Sequence, residues 1–171
     1  MAARKKTIAI LTQSPALGSI IAMVLDCEEQ FFVQTFAHAT MLKRHARIAP
    51  IDLVVCDYQI GPVNAAQLAI DLRQANQTPG TKFIVLSERM DAQIRQACIF
   101  SNIDEVIVKP MSPLFLRDRA LAQLMSAQSH ASHTRDPGRK EQQAKDAPLT
   151  DNVVYLWGKN HTTPTERHPE R

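Results

Sequence analysis

Glycine is scarce in this chain, at five of 171 residues, and none of it builds a phosphate-binding loop. After the first apolar run the sequence reads Ser14-Pro15-Ala16-Leu17-Gly18. It lacks the glycine-rich turn that brings backbone amides onto a flavin or nucleotide phosphate. Cysteine is sparse too. Cys27, Cys56 and Cys98 are odd in number, widely spaced and without CxxC spacing, which argues against a disulfide or zinc framework and for a reducing, cytoplasmic setting. Cys56, set among apolar neighbours, reads as a buried structural thiol. The net charge of +3, from 20 basic and 17 acidic residues, comes without a long basic block, so bulk electrostatics makes no case for DNA binding. The opening MAARKKTIAIL is cut off by Thr12, Gln13 and Ser14. Its apolar run is too short for a signal peptide or a membrane span.

What the chain does contain is alternation. From the N-terminus to about residue 126, short β-branched runs take turns with segments of helical period, the pattern of a parallel sheet with crossover helices. The strands are predicted at Thr7–Leu11, Phe31–Phe36, Leu53–Cys56, Phe83–Leu86 and Glu105–Val108, and the helices at Pro15–Asp26, Thr40–Ile48, Asn64–Asn76, Asp91–Phe100 and Ser112–Met125. Ser14-Pro15 and Ser112-Pro113 are both helix-start signatures. Right-handed crossovers then give an α/β fold, a (βα)5 doubly wound sheet of five parallel strands. At 44% hydrophobic, 171 residues suffice for one well-buried domain with some excess. Residues 1–126 form that domain. Residues 127–171, with four prolines, four of the six histidines and no period, read as a disordered tail. One apolar motif interrupts it, Val153-Val154-Tyr155-Leu156-Trp157, which either docks on a partner through Tyr155 and Trp157 or folds back on its own domain.

Three strands end in chemistry. Asp57 closes IDLVVCD, Ser87 closes KFIVLS, and Lys109-Pro110 follows EVIV. Open parallel sheets gather ligands outside the carboxyl ends of their strands, so an acid, a hydroxyl and an ammonium converge on one crevice. Each residue taken singly has a structural role to hand: Asp57 as a turn former, Ser87 as a helix cap, Lys109 as a solvated charge. Their order and spacing, over residues 5–126, resemble the receiver domain of bacterial two-component response regulators, a flavodoxin-like fold.

That resemblance implies Asp57 as phosphoacceptor, Ser87 and Lys109 as phosphoryl-contacting residues, and a cis peptide before Pro110. It also exposes departures. Thr12 and Gln13 stand where the family carries two acidic metal ligands, leaving Asp57 and the neutral Gln13 amide as a weak magnesium site or none. Val106 replaces the family's coupling aromatic, and Glu88 replaces a small residue beside the crevice. With two carboxylates gone, a direct Asp57–Lys109 ion pair is expected at rest. The expected function is an atypical stand-alone receiver acting as a signalling interaction module, with phosphorylation at Asp57 weak or absent. The alternative is a working acceptor fed by a histidine kinase or phosphotransfer protein. Neither is an enzyme beyond slow autodephosphorylation. Arg95 and Arg117, with Arg89 and Arg119, mark the fourth- and fifth-helix face as a partner or homodimer surface.

Overall fold

The computed structural model describes residues 4–74, 80–129, 153–154 and 156. Eight strands and five helices follow in the order β1 (Lys6–Leu11), α1 (Pro15–Asp26), β2 (Phe31–Thr35), α2 (Ala39–Ala46), β3 (Leu53–Asp57), β4 (Gln59–Ile60), β5 (Val63–Asn64), α3 (Ala65–Gln74), β6 (Lys82–Ser87), α4 (Ala92–Phe100), β7 (Glu105–Val108), α5 (Pro113–Ser129) and β8 (Val153–Val154). The main sheet runs β2-β1-β3-β6-β7-β8. Its first five strands are parallel and β8 is antiparallel, so the predicted five-stranded parallel sheet is present with a sixth, two-residue strand added at one edge.

Strand alternation divides the core in two. Ala9, Leu11, Val54, Cys56, Phe83, Val85 and Val106 meet residues of α2, α3 and α4 on one face. Ile8, Ile10, Leu53, Val55, Ile84, Leu86 and Ile107 meet α1 and α5 on the other. Helices on both faces explain why β3 is buried along its whole length. Leu116, Ala120 and Leu124 are the buried stripe of α5, at the i, i+4, i+8 spacing that a helix lays along one side. Burial raises the pKa of the Cys56 thiol and pushes that of Cys98 up to about 11. Both act as small apolar core residues.

Local signals set the helix starts. Ser14 accepts from the Leu17 amide at α1, with Pro15 in its first turn, and Asp91 accepts from the Ile94 amide at 2.8 Å at α4. Asn64 does the same for α3, taking the Gln67 amide at 2.9 Å. At α5 it is the carbonyl of Ser112 that accepts from the Leu116 amide. The β4–β5 hairpin was absent from the predicted elements. Its two-residue loop is Gly61-Pro62, and Gly61 has φ +59°, the positive φ that a tight hairpin requires at its first central position.

The sequence-based placement of Arg119 on an outer binding face is corrected. Its guanidinium lies against Glu105 of β7, at 2.6 and 3.0 Å from the two carboxylate oxygens, and Glu105 is 2% exposed. Gln123 adds a bond of 2.8 Å to the same carboxylate. Arg117 is half-buried and ion-paired, at 3.0 Å with Asp118 beside it and at 3.8 Å with Glu28 beyond the end of α1, whereas Arg95 is exposed on α4. No helix among the described residues is long and apolar enough to cross a membrane. A buried carboxylate stripped of its cation is costly, so Arg119→Met should lower stability by about 3 kcal/mol in urea unfolding. A loss below about 1 kcal/mol would mean that Gln123 alone keeps Glu105 satisfied.

Candidate functional site

Asp57 is the last residue of β3, Ser87 the last of β6, and Lys109 follows β7 directly. Because β3, β6 and β7 are adjacent and in parallel register, the three side chains arrive at one end of the sheet. They line an open cleft of ≈ 860 Å³ together with Gln13, Gln59 and Glu88. The Lys109–Pro110 peptide is cis, as the resemblance implied.

Charge in the cleft is balanced by the chain itself. Lys109 Nζ lies 2.7 Å from Asp57 Oδ1 and 3.1 Å from Glu88 Oε1. The contact with Oδ1 is a charge pair without hydrogen-bond alignment. Asp57 is 6% exposed, so this pairing is what makes its burial as an anion tolerable. Burial by itself would lower the Lys109 pKa, but the close Asp57 and Glu88 carboxylates outweigh it and the pKa is raised. The ion pair expected from the loss of the acidic residues is therefore present, and Glu88 joins it. The sequence reading placed Glu88 beside the crevice without a partner. Its position one residue beyond β6, across from Lys109, was the signal for pairing.

Gln13 makes two contacts. Its backbone amide donates to Asp57 Oδ2 at 2.6 Å, and its side-chain amide donates to the Gln59 carbonyl at 2.8 Å. Thr12 points elsewhere. Its hydroxyl donates to the Ser14 carbonyl at 3.0 Å, and a Cβ added at Gly18 would lie 2.9 Å from that hydroxyl, so the glycine leaves room for this turn. Ser87 is 4% exposed, and its hydroxyl donates to the Arg89 carbonyl at 2.6 Å. Among the described residues no three His, Cys, Asp or Glu side chains are grouped as metal ligands. Of the expected partner-binding residues, Tyr155 and Trp157 lie outside the described residues. Arg95 is exposed on α4, and Arg117 on α5 is ion-paired with Asp118 and Glu28.

The family model of the response regulator receiver domain matches residues 8–121. Comparison with curated proteins returns no match. Among solved structures, the signal receiver domain of an HD domain-containing protein from Pseudomonas fluorescens Pf-5 is similar with a TM-score of 0.68 at 17% identity, covering 77% of this chain and 95% of that one. A CheY-like response regulator receiver domain protein from Methanospirillum hungatei JF-1 gives 0.67 at 18% identity, over 74% and 98%. The chemotaxis protein CheY4 of Vibrio cholerae gives 0.64 at 19%, over 71% and 100%. Identities this low speak for the fold alone. The family match spans more than half of the chain and takes in all three strand ends that form the cleft, so this chain belongs to the response regulator receiver domain family.

Proposed function

We propose that this chain is an atypical receiver that serves as a protein-interaction module in two-component signalling, with phosphorylation of Asp57 weak or absent. Receiver domains are signalling modules rather than enzymes, and they interact with histidine kinases or phosphotransfer proteins. They bind magnesium weakly at an acidic site. The residues here do not fit that ion. The two oxygens beside Gln13, Asp57 Oδ2 and the Gln59 carbonyl, both accept hydrogen bonds from it. A cation needs negative charge, whereas Gln13 contributes a neutral amide whose N–H is turned to Gln59 and the Asp57 carboxylate is already paired with Lys109. That double engagement by Gln13 is the observation that carries the proposal, and the Lys109 bridge between Asp57 and Glu88 complements it. Exposed Arg95 on α4 supports partner or homodimer contacts on that side.

The second reading, a working phosphoacceptor, is favoured by the convergence of Asp57, Ser87 and Lys109. A response regulator from Burkholderia pseudomallei, similar at 15% identity with a TM-score of 0.60, is described as carrying a phosphorylated aspartic acid and a calcium ion. In that reading an Asp57 oxygen attacks phosphorus, the donor departs with the bonding electron pair, and Lys109 moves from the carboxylate to the new phosphoryl oxygens.

Intact-mass measurement after incubation with a small-molecule phosphodonor separates the two readings. The expected outcome is no adduct on the wild-type chain at any magnesium concentration. A variant carrying Thr12→Asp and Gln13→Asp should gain a magnesium-dependent adduct that Asp57→Asn removes. A magnesium-dependent adduct on the unmodified chain would establish the switch instead. Lys109→Met should destabilise the chain, and the pH dependence of that difference follows from the raised Lys109 pKa. The pair's contribution is fully present below the unfolded lysine value of about 10.4 and is lost as pH rises through the higher folded value. Urea midpoints of wild type and Lys109→Met should therefore differ by a constant amount from about pH 7 to about pH 9 and converge only in stronger alkali. Convergence already near about pH 8 would contradict the bridged arrangement.

A further inference from the structure

Without β8, β7 would be the open edge of the main sheet. An edge strand presents unpaired N–H and C=O groups that recruit another strand. Here the recruit is the chain's own distal segment: Val154 pairs with Val106 and Val153 with Ile107, antiparallel. Two positions beyond Val154, Leu156 is 9% exposed and belongs to the same apolar cluster as Val106, Phe83, Ile94 and Cys98. The contact has the two parts of strand-addition recognition, a backbone ladder and one side chain seated in an apolar hollow.

The contact is also small. Two paired residues and one leucine make a marginal unit, and residues 130–152 separate it from the end of α5. Because the segment belongs to the same chain, it competes for the edge as an intramolecular ligand, and a contact this small is one that a better ligand can displace.

We propose that the β7 edge and the hollow filled by Leu156 form a docking site for an extended apolar segment of a partner protein, in which two β-branched residues pair with β7 and a leucine two positions further on is buried. The chain's own 153–156 segment is the tethered competitor for that site. This deepens the interaction-module reading but rests only on β8 and Leu156, so it stands or falls independently of the chemistry at Asp57.

The probe is a labelled peptide of residues 151–158, titrated onto the full-length chain and onto full-length Leu156→Asp, with Val154→Pro as a second way to release the strand. Far-UV circular dichroism selects whichever variant keeps the wild-type fold. Both variants should bind the peptide about tenfold more tightly than wild type, because the internal competitor has been removed. A peptide with aspartate in place of its leucine should not bind. Equal binding to wild type and variants, or no binding to either, would overturn the proposal and leave β8 as a permanent edge cover. A wild-type dimer by light scattering that Leu156→Asp abolishes would overturn it in favour of strand exchange between two copies.

Discussion

One ammonium organises the carboxyl end of the sheet. Lys109 lies between the nearly buried Asp57 carboxylate and the exposed Glu88 carboxylate, and the rest of the cleft arranges itself around the two carboxylates it neutralises. A lone buried carboxylate would cost several kcal/mol, so the anion at the end of β3 needs compensation. Two groups supply it: the positive charge of Lys109 beside one oxygen and the Gln13 backbone amide, which donates to the other. The side-chain amide of Gln13 then bonds the Gln59 carbonyl, which ties the turn after β1 to the β4–β5 hairpin.

This arrangement is a consequence of the sheet. Parallel strands with helices on both faces must be apolar on both sides, and polar side chains are admitted only where the strands end. Asp57 and Ser87 occupy the first such positions on β3 and β6, and Lys109 the first beyond β7. At the opposite end of the sheet the polar work is structural. Asp52 accepts from the Thr7 amide at 2.8 Å and Asp104 from the Phe83 amide at 2.8 Å, each bound to neighbouring lysines and arginines. One end is stitched by acidic residues that have many partners, while the other leaves an acid facing a cleft.

Much of this was legible in the residue order. Uninterrupted β-branched runs identify buried parallel strands, and the residues that end those runs identify the cleft, so the strands and the Asp57, Ser87 and Lys109 convergence follow from the pattern. The hairpin was not legible because two-residue strands are too short to show a period, although the Gly61-Pro62 pair at its loop was its trace. Nor were the directions of Arg117 and Arg119. Both sit on α5, and helical spacing alone does not say that Glu105, buried on the neighbouring strand, claims the guanidinium of Arg119. The fold-back of Val153, Val154 and Leu156 was one of two readings left open, since a β-branched apolar run suits a foreign sheet edge as well as its own.

The same physics governs the cleft and the sheet edge, and in both the chain provides for itself what such sites ordinarily take from outside. A carboxylate that could face a cation faces Lys109 and Gln13; a strand edge that could face another protein faces β8. The two substitutions differ in how easily they are undone. The Lys109 bridge is built from side chains fixed at strand ends a few ångströms apart, in a partly buried setting where separating the charges is expensive. The β8 contact joins two residues and one leucine across residues 130–152, a small unit with a long loop to close. A ligand competing for the Asp57 cleft must therefore overcome a preorganised ion pair. One competing for the β7 edge need only surpass a short tethered strand, which makes the edge the more accessible of the two surfaces for regulated binding.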